Sequence, residues 1–190
     1  MSNNLFPVFL KLEQLSLLIV GGGYVGMEKL EAVLNNAPAT RITLVATQIS
    51  EAIKEAAEQY PNIRLVEKPY DINDLAGHDI IIATINDPVV SGQVAADAKR
   101  KKILVNVADK PGLCDFYLGS IVQKGNLKIA ISTNGKSPTI AKRIKEFLKD
   151  ALPEETDELL QNMESIRKRM SGDFAEKVKQ LNELTKTISK

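Results

Sequence analysis

One stretch constrains this chain more than any other: Leu17-Leu18-Ile19-Val20-Gly21-Gly22-Gly23-Tyr24-Val25-Gly26, an apolar run that halts at three glycines and restarts as a helix. Gly21, Gly23 and Gly26 fit the pattern G-x-G-x-x-G between a strand and a helix. The first glycine makes the turn, the second admits a pyrophosphate to the backbone, and the third lets helix and strand pack closely. The start of that helix presents free N–H groups and a partial positive charge, which stabilise an anion. Such a turn can also serve strand-to-helix packing alone, but its place between the two elements favours nucleotide binding.

With 190 residues, 44% of them hydrophobic, the chain can bury one core and a smaller second one. Its 25 basic and 24 acidic residues nearly cancel, so the total charge gives no ground for bulk nucleic-acid binding. Cys114 is the only cysteine, which excludes an internal disulfide and fits a reducing compartment. Met1-Ser2-Asn3-Asn4 carries no basic segment ahead of an apolar run, and no stretch approaches membrane-span length. The expectation is a cytoplasmic protein with no membrane partner.

Read in order, Pro7 to Leu12 predicts a short strand, paired as an edge hairpin with the strand ending at Val20. A helix over Val25–Leu34, a strand over Ile42–Ala46, a Ser50-capped helix to Tyr60 and a strand over Ile63–Val66 follow. The apolar run Asp79–Ala83, a helix from Pro88 to Lys99 and the strand Ile103–Val107 complete an alternating pattern. That rhythm predicts an α/β fold with a doubly wound parallel sheet, whose ligands bind outside the carboxyl ends of the strands. Gly21, Thr84 and Asn106 should converge there, although Thr84 and Asn106 read equally well as turn caps. After Pro111-Gly112 the pattern changes to a hairpin, Phe116–Val122 with Leu127–Ser132, then a helix capped by Ser137 with Pro138 first. Two charged amphipathic helices, Glu154–Met170 and Phe174–Ile188, divide at Ser171-Gly172-Asp173. Two strands and some helices bury little alone, which points to a homodimer.

Two further segments, Val105-Asn106-Val107-Ala108-Asp109-Lys110-Pro111-Gly112-Leu113-Cys114-Asp115-Phe116 and Ile129-Ala130-Ile131-Ser132-Thr133-Asn134-Gly135-Lys136-Ser137-Pro138, add to the glycine run. Together they resemble the precorrin-2 dehydrogenase / sirohydrochlorin ferrochelatase family, the Rossmann-containing part of sirohaem synthase. The resemblance spans nearly the whole chain, strongly to residue 150 and more weakly through the last helices. It implies an NAD-binding Rossmann domain over residues 1–112, a small α+β dimerisation region over 113–150 and a C-terminal helical region over 151–190. It also implies NAD-dependent oxidation of precorrin-2 to sirohydrochlorin, often followed by insertion of Fe(II) in the same pocket. Asp109 matches the family's catalytic aspartate, a carboxylate able to accept a proton in either step. The implied cofactor residues are Gly21, Gly22, Gly23, Tyr24, Val25, Gly26, Thr47, Thr84 and Asn106, and the implied substrate residues are Asn134, Lys136 and Ser137. Ser137 reads also as a plain helix cap, Lys136 as solvated charge, and Asp109 taken by itself as a solvated loop carboxylate. The alternative is a non-catalytic NAD-sensing regulatory module, which would not need Asp109 together with Ser132–Pro138.

The chain departs from the family pattern at several positions. Thr47 stands where many members have proline, Glu28 where a basic residue is common, Gly119 where proline is common, and Asn134 where glycine is common. No acidic residue ends the second strand to accept adenosine ribose hydroxyls, so charge does not settle NAD against NADP; Arg41 lies at the wrong end of the strand to read a 2′-phosphate, and NAD is retained. His78 and Cys114 are each the only residue of their type, so no ordinary His/Cys metal site is expected. His78 should make a loop hydrogen bond, and Cys114 should pack as a small apolar residue.

Overall fold

Four consecutive apolar residues, Leu17 to Val20, can all leave water only in a strand covered on both faces. In the computed structural model, which describes residues 3–170 and 174–185, they do so at the centre of a parallel sheet. β1 (Ser16–Val20) lies between β2 (Arg41–Ala46) and β4 (Ile80–Ala83), with β3 (Ile63–Glu67) and β5 (Leu104–Val107) outside, in the order β3-β2-β1-β4-β5. Ile19 stands opposite Leu44 on one side and Ile82 on the other.

Alternate residues of these strands face two helical layers. Leu17, Ile19, Leu44 and Ile82 pack with Leu30 and Val33 of α1 (Tyr24–Leu34) and Ile53 of α2 (Glu51–Gln59). Leu18, Val20, Ile81 and Val105 pack with Val94 and Ala98 of α3 (Pro88–Lys101) and with Leu75. Leu18, Ile19, Leu30, Leu44, Ile53 and Ile81 are wholly buried, and burying such a side chain contributes about 1.5–3 kcal/mol. The result is the Rossmann-type, doubly wound sheet that the alternating pattern predicts. Its strand order reverses between β1 and β4, which makes their carboxyl ends the switch point where ligands bind.

Two expectations need correction here. Residues 7–11 form no strand, and Leu12–Gln14 is a short 3-10 turn. β1 has β2 and β4 on its two edges, which leaves no edge for a hairpin partner. Ser50 does stand at the N-cap of α2, but its hydroxyl makes no cap bond and is buried without a partner.

The chain forms two compact units, Met1–Leu118 and Gly119–Lys190, so the division falls after Leu118 and not after Gly112. Hydrogen bonding explains the shift. Asp115 N–H donates to Val105 O (2.8 Å), Val105 N–H to the Asp115 carboxylate (3.0 Å) and Asn106 Nδ2 to Phe116 O (2.8 Å). Residues 114–116 are thereby held on β5, the exposed edge of the sheet.

The second unit begins with the antiparallel pair β6 (Ser120–Lys124) and β7 (Leu127–Ile131), shorter than the expected strands because residues 116–119 are not extended into the ladder. Gly125, at φ +53°, supplies the left-handed turn residue that a two-residue hairpin needs. α4 (Pro138–Ala151) packs on this hairpin, with Ala141 and Val122 buried. α5 (Thr156–Arg169) is tied to the hairpin turn through Asp157, whose carboxylate accepts from Asn126 N–H (2.7 Å) and Nδ2 (2.9 Å). α6 (Phe174–Thr185) follows; Ser171–Asp173 and the expected helix end at Ile188 lie outside the described residues. Among the described residues no helix is long and apolar enough to cross a membrane.

Candidate functional site

The glycine loop fills the switch point, and its glycines are needed for different reasons. Gly21 has φ +123°, and a Cβ there would lie 2.4 Å from Thr84 Oγ1. A Cβ on Gly22 would lie 2.4 Å from Gln48 O, and one on Gly26 would lie 2.3 Å from Gly21 O. These three glycines are required by the protein's own packing. Gly23 is different: a Cβ there would meet nothing within 4 Å. It is the N-cap of α1, in an extended conformation, and no side chain caps the helix. Among the described residues, the N–H groups of the first turn, at Tyr24, Val25 and Gly26, therefore lack a side-chain cap, beside a glycine with nothing within 4 Å of its Cβ position.

The neighbouring helix start shows what a filled site looks like. At α3 the carboxylate of Asp87 accepts from Val89 N–H (2.7 Å) and Val90 N–H (3.3 Å). An anion is already in place there, whereas α1 is left for one from outside. The arrangement at α1 fits a dinucleotide pyrophosphate on this observation alone.

The loops on either side brace the glycines. Thr84 Oγ1 lies 3.2 Å from both Val20 O and Gly21 O, close enough to donate to either, and Gly21 N–H donates to Val45 O (2.9 Å). Ser50 N–H donates to Gly22 O at 2.9 Å, which fixes the β2–α2 connection against the loop. Thr47, just after β2, is exposed beside it. Tyr24 is 84% exposed at the first position of α1, and Val25 is half-buried. Asn106 sits one residue from the end of β5 but is buried, with its Nδ2 committed to Phe116 O and, at 3.6 Å, to Cys114 Sγ. Its Oδ1 is what remains for a ligand.

Asp109 lies in the turn that leaves β5, at the carboxyl edge of the sheet. The preceding Ala108 N–H donates to Ala83 O at 2.9 Å, which stitches that turn to the end of β4. Asp109 is exposed and holds φ +58°, a left-handed conformation that aspartate and asparagine tolerate better than most residues. Among the described residues its carboxylate has no hydrogen-bond partner, which leaves both oxygens available for proton transfer. Cys114 Sγ, by contrast, accepts from Val107 N–H (3.2 Å), and burial pushes the thiol pKa up. His78 departs from expectation: its Nδ1 is buried without a partner. Among the described residues no group of three or more His, Cys, Asp or Glu side chains is placed to hold a metal ion.

The other candidate residues lie in the second unit, in the turn between β7 and α4. Asn134 and Gly135 take consecutive left-handed conformations, φ +56° and +73°. Asparagine tolerates a left-handed conformation better than most residues. Ser137 caps α4, its Oγ accepting from Ile140 N–H at 3.2 Å, and Thr133 Oγ1 accepts from Ser137 N–H at 3.2 Å. Lys136 is exposed. In the first unit nothing in the sequence points to Gln48, whose carbonyl lies against Gly22, or to Ser91, whose hydroxyl reaches Ile85 O and Asp87 O and accepts from Lys110 Nζ. They act through backbone carbonyls or a single hydroxyl, which carry no motif.

Comparison with known proteins accords with this geometry. Residues 8–120 match a family model described as "Putative NAD(P)-binding". The chain belongs to this NAD(P)-binding family. Residues 124–151 of the NAD(P)-binding chain also match a model described as "Sirohaem biosynthesis protein central". It is 36% identical over 174 residues to a siroheme synthase of Methylococcus capsulatus, covering 92% of this chain and 34% of that one. A siroheme synthase from a Psychrobacter species is also 36% identical, over 176 residues, with 93% and 34% covered. The chain thus spans about a third of the length of these relatives. A solved structure titled "SirC, precorrin-2 dehydrogenase" superposes with a TM-score of 0.74 at 28% identity, covering 95% of this chain and 89% of that one.

Proposed function

We propose that this protein oxidises precorrin-2 to sirohydrochlorin with NAD, as a step of sirohaem formation in the cytoplasm. The observation that carries the reading is the pairing of an uncapped α1, open in front of Gly23, with an Asp109 carboxylate that has no partner among the described residues, at the same carboxyl edge. Backbone N–H groups of Tyr24, Val25 and Gly26 would hold the pyrophosphate, with Gly21, Gly22 and Thr84 fixing the loop, and Thr47 and Asn106 lying along the cofactor's path. When bound, NAD supplies the hydride acceptor. Asp109 accepts the proton that the macrocycle must lose in the same oxidation and passes it to solvent. No carboxylate ends β2, so charge does not choose between NAD and NADP; Arg41 is at the opposite end of that strand, poorly placed to read a 2′-phosphate, and NAD is the cofactor proposed.

The turn Asn134–Ser137, with Lys136 as a cation, would bind carboxylates of the tetrapyrrole. α4 leaves Ile140, Ile144 and Phe147 exposed at helical spacing, an apolar stripe that supports a homodimer through residues of the second unit. Fe(II) is proposed as a second substrate, inserted into sirohydrochlorin while Asp109 takes displaced pyrrole protons. The test is turnover of precorrin-2 with NAD, followed by addition of Fe(II). NADH and sirohydrochlorin in equal amounts are expected, then sirohaem. No NADH formation from precorrin-2, with NAD shown to bind, would contradict the assignment.

A further inference from the structure

Lys110 follows Asp109, and its ammonium is used inside the protein. Lys110 Nζ donates to Ser91 Oγ at 2.8 Å. Ser91 is completely buried in the first turn of α3. Its hydroxyl in turn lies within donating distance of Ile85 O (2.9 Å) and Asp87 O (2.7 Å). A cation from the turn leaving β5 is therefore bonded into the turn leaving β4. The two turns are also joined beneath by Ala108 N–H to Ala83 O, so the Lys110 bond is a second fastening, on the far side of Asp109.

Between those fastenings Asp109 holds φ +58°. A non-glycine residue in that region carries strain and persists only where its surroundings over-determine it. The backbone bonds that flank it, Lys110 N–H to Val107 O (3.2 Å) and Leu113 N–H to Lys110 O (3.0 Å), close the turn but do not anchor it to another element. The side chain of Lys110 does. We propose that Lys110 is a positioning residue whose bond to Ser91 clamps the β4 and β5 exit turns together and fixes the direction of the Asp109 carboxylate. The inference rests on Asp109 being the proton acceptor.

The test compares wild type, Lys110→Met, Ser91→Ala and the double variant, with Asp109→Asn as reference. Steady-state turnover of precorrin-2, NAD titration and hydrogen exchange at the Lys110 amide are measured on each. Methionine keeps a long apolar stem and removes the ammonium, so Lys110→Met answers the question even where Ser91→Ala lowers stability. The clamp predicts that kcat falls about tenfold to a hundredfold in each single variant, as a displaced catalytic group would give. NAD affinity should stay within about twofold, the Lys110 amide should exchange faster, and the double variant should be no slower than the slower single, since the two residues act as a unit. Wild-type kcat in Lys110→Met, or losses that multiply in the double variant, would overturn the clamp while leaving Asp109 in its role. Wild-type turnover by Asp109→Asn would overturn both, and the exchange data would still show whether the bond holds the turn.

Discussion

Replacing Gly23 with aspartate should separate folding from cofactor binding, and the protein already contains the comparison. Gly23 is the N-cap of α1 at φ −90°, and a Cβ there meets nothing within 4 Å. Asp87 holds the equivalent position on α3 at φ −66°, with its carboxylate on the Val89 and Val90 N–H groups. An aspartate at position 23 would cap α1 in the same way. A better cap, a favourable interaction with the helix dipole and a less flexible unfolded chain together contribute about 1–2 kcal/mol. In a chain of this size that raises Tm by about 2–8 °C. The same carboxylate would occupy the N–H groups that a pyrophosphate needs. Losing two hydrogen bonds to a charged group costs about 3–6 kcal/mol, which weakens NAD binding roughly a hundredfold to ten-thousandfold. Calorimetric titration with NAD, alongside thermal unfolding, reads both effects. NAD affinity within about threefold of wild type in a folded Gly23→Asp variant would refute the placement of the pyrophosphate.

Gly26→Ala should do the opposite in stability: its Cβ would lie 2.3 Å from Gly21 O, and overpacking of about 1–3 kcal/mol should lower Tm by about 2–12 °C. In the second unit, bonds from Asn126 hold the Asp157 carboxyl below its ordinary pKa. Its contribution is then present above the unfolded pKa and lost as pH falls through the folded one, so the protection of the Asn126 amide, its exchange rate relative to that of an unstructured amide at the same pH, should be steady near neutrality and fall in acid. Asp157→Ala should show the low protection at neutral pH. A chain ending after Leu118 keeps the bonds of Asp115 and Phe116 to β5 and should fold as a monomer that binds NAD, whereas one ending after Gly112 loses them and should melt at a lower temperature by circular dichroism.

The sheet was legible because its constraints are local and repeated. An apolar run bounded by glycines, and strands alternating with helices, leave few architectures open, and the α1 turn announces its own chemistry through three glycine spacings. The edges were harder to read. Pro7–Leu12 has strand-like composition, but whether a strand forms depends on a free sheet edge, which is a property of the whole topology. The boundary after Leu118 depends on a carboxylate and an amide reaching across from Asp115 and Asn106, and composition shifts only at Pro111-Gly112. At the site, Asp109 is named through resemblance because a single aspartate has no signature of its own; Ser137 is legible as a cap from Ser137-Pro138, and only its role toward substrate comes from the resemblance. The orphaned Nδ1 of His78 and hydroxyl of Ser50 show the same limit: polar residues were expected to find partners, and only the fold decides whether partners lie within reach.

The central claim is that Asp109 takes a proton from the tetrapyrrole as NAD takes a hydride. Asparagine at this position tolerates the left-handed backbone and keeps the size of the side chain, but it cannot accept a proton at neutral pH. A single-turnover oxidation of precorrin-2, followed by the absorbance of NADH, compares wild type with Asp109→Asn while calorimetry checks that NAD still binds. The account predicts a rate lower by about a hundredfold to ten-thousandfold with NAD affinity unchanged; oxidation near the wild-type rate would contradict it.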